Sequence, residues 1–165
     1  MSSLLLSGCT GKSQPDLNIT VTDTAAGQTP APQAGTYLSE LSLGVADHSE
    51  GRADFENATT LWDNGDLANA SELFKQADDE FSGASVHYHN MEEYALNNSE
   101  QEFAGDLEDS AIDMSMATYW FGMSIDDSLA GNNSEALIYF DEGQDFVNVS
   151  MNETNASLLI MPSLT

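Results

Sequence analysis

Residues 67–95 read LANASELFKQADDEFSGASVHYHNMEEYA, and their spacing decides the fold. Apolar or small residues recur in alternate steps of three and four: Leu67, Ala70, Phe74, Ala77, Phe81, Ala84, Tyr88, Met91 and Ala95. A heptad seam sustained for about four heptads predicts one long helix with one buried stripe. At 1.5 Å per residue such a helix runs roughly 40 Å. The stripe also alternates bulky with slim side chains.

Upstream the same pattern returns. Tyr37, Leu41, Gly44, His48, Gly51, Phe55, Ala58 and Trp62 step by four and three, which predicts a first helix over 36–63. Asn64-Gly65-Asp66 separates the two helices. Glycine suits the left-handed position that ends a helix, and Asp66 is placed to cap the next one. So short a turn predicts antiparallel neighbours. Paired across it, Trp62 meets Leu67, Phe55 meets Phe74, His48 meets Phe81, Leu41 meets Tyr88 and Tyr37 meets Met91. Ala58 then meets Ala70, Gly51 meets Ala77 and Gly44 meets Ala84. Slim on slim predicts close backbones, with the bulky residues turned toward a second helix pair.

Downstream, Asn97-Asn98-Ser99 marks the next turn. A third helix is expected from about Glu100 to Ala130, with Ala104, Leu107, Ala111, Met114, Thr118, Phe121 and Ile125 on one stripe and Phe103 and Trp120 widening it. After Gly131-Asn132-Asn133-Ser134 a fourth is expected from Glu135 to about Met151, with Leu137, Phe140, Val147 and Met151 inward. Phe121 then faces Phe140. Long helices joined by short turns predict an all-α, antiparallel up-down-up-down four-helix bundle over 36–152, followed by a flexible tail over 153–165.

The two hairpin turns resemble each other at an offset of 66 residues. Gly65, Ala70, Phe74 and Ala77 align with Gly131, Ala136, Phe140 and Gly143. This spacing is similar to the second half of a tetratricopeptide repeat, and Trp120 falls where that family places its first-helix aromatic. The period differs, because that family repeats every 34 residues or so. The resemblance implies an alternative architecture: a solenoid of three short hairpins, with the second helix broken at Ser82-Gly83.

Leu6-Ser7-Gly8-Cys9 resembles the lipobox of prokaryotic lipoproteins, archaeal ones included. The resemblance implies that residues 1–9 are the end of a signal segment and that Cys9, the one cysteine, carries lipid. Residues 10–35 are rich in Thr, Pro, Ala, Gly and Gln and lack apolar periodicity, which predicts a disordered tether. Eight of the twelve asparagines stand in Asn-x-Ser/Thr sequons: Asn18, Asn57, Asn69, Asn97, Asn132, Asn148, Asn152 and Asn155. Sequons are glycosylation acceptors on exported surfaces. Anchor, tether and sequons together predict an address on the outer face of the cytoplasmic membrane or the cell surface.

Candidate chemistry is sparse. No Glu-x-x-His, Cys-x-x-Cys-His or Gly-x-x-x-x-Gly-Lys occurs. His87-Tyr88-His89 with Glu92 and Glu93 is the one ligand-like cluster, and His89 with Glu92 or Glu93 is the candidate for a loosely held divalent ion. Residues 87 and 89 point to different sides of a helix, so they do not share one metal. His48 reads as a partly buried packing residue opposite Phe81, titrating near neutral pH.

These readings predict a non-enzymatic, lipid-anchored helical protein without cofactor, acting as a protein-interaction or cell-envelope component with a partner at the surface. The alternative is an extracellular solute- or divalent-cation-binding module. Charge excludes nucleic acid as a natural partner: 28 Asp and Glu stand against Lys12, Arg52 and Lys75, a formal net charge of −25. Few of those carboxylates find ion-pair partners, so they repel one another unless salt screens them. The thermal midpoint is therefore expected to rise as sodium chloride goes from about 0.1 M to 1 M, where the screening length falls to about 3 Å. A flat or falling profile contradicts a salt-adapted surface.

Overall fold

The computed structural model describes residues 32–160, which form four helices: α1 (Pro32–Asp63), α2 (Leu67–Tyr94), α3 (Asn98–Ala130) and α4 (Asn133–Ile160). Each packs against its neighbour in the chain, as an up-down-up-down bundle requires. Helix α2 passes through Ser82 and Gly83 without a break, so the alternative solenoid of short hairpins does not form. Helix α1 starts four residues inside the expected tether, at Pro32, a residue suited to the first helical position. Cys9 and Asn18 lie outside the described residues.

The turns follow their residues. Gly65 and Gly131 take φ of +80° and +84°, the left-handed conformation that glycine adopts without a Cβ penalty. Asn97 caps α3 by accepting from the Glu100 backbone N–H at 3.0 Å, and the Glu100 carboxylate reaches back to the Leu96 N–H at 2.6 Å. Asp66 behaves differently from expectation. It stands at the N-cap of α2, but its side chain makes no cap bond and accepts from the Asn69 side-chain amide at 2.8 Å instead.

The heptad stripes of α1, α2 and α3 face the core along their whole length, from Tyr37 to Trp62, from Leu67 to Ala95 and from Ala104 to Ile125. Phe55 and Phe74 meet at 5.6 Å between ring centroids, and His48 meets Phe81 at 5.2 Å. The slim rungs work differently from expectation. A Cβ on Gly44 would stand 2.6 Å from the Tyr88 ring, one on Gly51 3.2 Å from Phe81, and one on Gly143 3.1 Å from Phe121. Bulky residues do not turn away from the slim rungs; they lie over them. Side chains on a helix lean toward its N-terminus. In an antiparallel pair that lean carries a ring from its own rung to the next one, where glycine leaves room.

Helix α4 departs most from its sequence reading. Leu137 is 41% exposed, and the inward position belongs to Ala136. From there the stripe runs through Phe140, Gly143, Val147, Ser150 and Thr154, in the same steps of four and three. Ser110 on α3 bonds the hydroxyls of Ser150 at 2.8 Å and Thr154 at 2.7 Å inside the core. Residues 153–160, expected in a flexible tail, instead continue α4: Thr154 is buried, and the helix runs to Ile160.

Five rings close the core at the end that holds both hairpin turns. Trp62 lies 6.0 Å from Phe74, 5.9 Å from Phe121 and 5.5 Å from Phe140. Phe55 lies 5.7 Å from Phe121. The 66-residue offset reappears here, because Phe55 and Phe74 correspond to Phe121 and Phe140, which also pair at 5.5 Å.

Two glycines test this packing with opposite signs. Gly44→Ala is expected to destabilise by about 1–3 kcal/mol, because its methyl meets a buried, immobile ring. Gly122→Ala is expected to stabilise by about 0.5–1 kcal/mol, since a Cβ there meets nothing within 4 Å and the helix gains propensity. Urea unfolding midpoints of the two variants measure both effects.

Candidate functional site

The three histidines take three different environments. His48 is 2% exposed, set edge-on to Phe81, with its Nδ1 buried and unpartnered. Burial, assisted by the Arg52 charge, lowers its pKa to about 4, so it stays neutral at pH 7 rather than titrating there as the sequence reading expected. His87 turns from α2 toward α1: its Nδ1 lies 2.7 Å from Glu40 and its Nε2 3.6 Å from Asp47. Asn90 donates to the same Glu40 carboxylate at 3.4 Å. With a carboxylate on each ring nitrogen, His87 is a strut between helices.

His89 turns the other way, toward α3. Its Nδ1 lies 3.3 Å from Glu108 Oε2, and Glu92, one turn along α2, brings a third ligand atom so that all three lie within 4.8 Å of one another. Glu93 is exposed and outside this group. Sequence reasoning named His89 and Glu92 but missed Glu108. Nothing local marks Glu108, since it comes from another helix; only the register of α2 on α3 selects it. Gly105, one turn before Glu108, lies under Glu92: a Cβ there would stand 2.6 Å from Glu92 Oε1.

A second acidic contact joins α3 to α4. The carboxyl groups of Glu153 and Asp113 share a hydrogen bond, and Glu153 Oε2 is buried without a partner. Burial first, then the charges and hydrogen bond of Asp113 and the charges of Asp109 and Asp106, push the Glu153 carboxyl up to about 7. Burial also raises Asp113. Helices α2 and α3 are further tied by Ser115 to Asp78 and by Ser71 to Asp126 at 3.2 Å.

The sequon asparagines Asn57, Asn69, Asn97, Asn132, Asn148, Asn152 and Asn155 are all exposed. Among the described residues no helix is long and apolar enough to cross a membrane. No protein-family model, curated protein or solved structure matches the chain.

His48 and Glu153 give stability two pH limbs of opposite sign. Unfolded histidine protonates near 6.5 and folded His48 near 4, so between them the unfolded chain binds more protons. Stability is therefore lost as pH falls from about 6.5, by about 3 kcal/mol on reaching about 4. Glu153 has the opposite sign: its contribution is complete below the ordinary 4.5 and lost as pH rises through about 7. In urea midpoints measured from pH 4 to 8, His48→Leu is expected to flatten the acid limb and Glu153→Gln the neutral one.

Proposed function

We propose that this chain is a non-enzymatic helical domain, held outside the membrane by lipid on Cys9 and the tether between Cys9 and α1, that works as a protein-interaction or envelope component. The observation that supports it is a second apolar stripe, on the outside of α3. Ile112, Met116, Tyr119 and Met123 follow steps of four and three on a face away from the core seam, and Ile112 and Tyr119 are exposed. Beside them Trp120 stacks on Tyr139 of α4 at 5.3 Å. Glu108 and Asp109 precede the stripe along α3, and Asp126 and Asp127 follow it. An apolar stripe bracketed by carboxylates fits a partner with an apolar ridge and basic ends. A single lipid chain holds a protein reversibly, and a second makes the hold durable.

The divalent-cation reading remains the second one, favoured by the convergence of His89, Glu92 and Glu108.

Two measurements test the proposal. Mass spectrometry of the protein from its native membrane is expected to find Cys9 lipidated, and a free Cys9 thiol contradicts the anchor. A photo-crosslinker at Tyr119, on intact cells, is expected to capture one discrete partner that the same group at exposed Glu72 on α2 does not capture. Equal capture from both positions contradicts the α3 stripe.

A further inference from the structure

We propose that His89, Glu92 and Glu108 form a binding site for one divalent first-row transition-metal ion, zinc foremost, that bridges α2 and α3. This deepens the cation-binding reading and is independent of the interaction reading.

Donor chemistry selects the ion class. One imidazole with two carboxylates suits zinc and its first-row neighbours. Calcium wants six to eight oxygens, and magnesium a near-ideal octahedron rich in water.

Geometry supplies the second argument. Two ligand atoms of a tetrahedral ion with bonds of about 2.0–2.1 Å stand roughly 3.4 Å apart. His89 Nδ1 and Glu108 Oε2 are already 3.3 Å apart, and Glu92 lies within 4.8 Å of both. His89 and Glu92 sit one turn apart on α2, a spacing that puts both on one face. Three protein ligands leave a fourth position for water.

Room is the third argument. The Glu92 carboxylate lies over Gly105, where a Cβ would stand 2.6 Å from Glu92 Oε1, so a side chain there would push the carboxylate aside. Glycine in a helix interior costs roughly 1 kcal/mol against alanine, so the gap is kept at a cost to α3.

Among the described residues competition is weak. Arg52 is paired with Glu56 on α1 at 3.2 Å. Lys75 is 14 residues before His89, roughly 20 Å along α2. The surface charge also concentrates cations at the site.

The experiment must separate a site from diffuse attraction to a surface of −25 charge. Calorimetric titration of the full chain with zinc chloride, in salt, is compared with magnesium chloride at matched ionic strength. We expect one zinc per chain, bound at least about tenfold tighter than magnesium. His89→Ala and Glu108→Gln are each expected to weaken zinc by about tenfold or more, while His87→Ala leaves it unchanged. Gly105→Ala is expected to weaken zinc while keeping or raising the metal-free thermal midpoint, which a merely structural Glu92 does not explain. His89 is 58% exposed on its side chain, so its removal does not threaten the fold. Equal affinity for zinc and magnesium, or undiminished zinc binding by His89→Ala, overturns the site whatever becomes of the α3 stripe.

Discussion

A ring leaning over a glycine is the contact on which this bundle depends. Helical side chains tilt toward the N-terminus of their own helix, so a ring also reaches the next rung of an antiparallel partner. Tyr88, Phe81 and Phe121 each come to rest over a glycine of the neighbouring helix. The glycines admit the rings, and the rings fill the space that the glycines leave. Interior packing of this kind tolerates neither voids nor extra methyl groups. Where the two hairpins meet, Phe55, Trp62, Phe74, Phe121 and Phe140 join all four helices in one aromatic cluster. Each pair adds about 0.5–1.5 kcal/mol beyond burial.

The outside obeys a different constraint. With three Lys and Arg for 28 carboxylates, the surface cannot neutralise itself. The described structure handles this locally. Glu40 and Asp47 share His87, Asp113 shares a proton with Glu153, and Asp78 and Asp126 accept from serine hydroxyls. His89, Glu92 and Glu108 add one more crowded point, and a cation is the natural way to relieve it. Both proposed roles lie on faces of the bundle: an apolar stripe on α3, and a ligand cluster where α2 crosses onto α3.

Much of the fold was legible because long heptad seams have few alternative readings. The seams of α1, α2 and α3, both left-handed glycines and the Phe121–Phe140 pair could be read directly from spacing. Helix α4 was less legible because its inward positions include Gly143, Ser150 and Thr154, which carry no apolar signal. Ser150 and Thr154 are satisfied in the core by the hydroxyl of Ser110, 40 and 44 residues earlier, and Gly143 lies under Phe121. Leu137 misled for the converse reason: it is apolar but stands one residue past the inward position. Two of the three residues in the ligand cluster were legible, since His89 and Glu92 are neighbours on one helix. Glu108 was not, because helix register is a tertiary property. The anchor and the sequons rest on motifs alone, and Cys9 lies outside the described residues.

If the aromatic cluster unites the four helices, they must open together. Native-state amide hydrogen exchange tests this directly, because it measures an opening free energy for each amide. Amides beside Trp62, Phe74, Phe121 and Phe140 are expected to share one opening energy equal to that of global unfolding. A hairpin that opens at markedly lower energy than the other would show two units merely lying side by side, and would contradict the shared core.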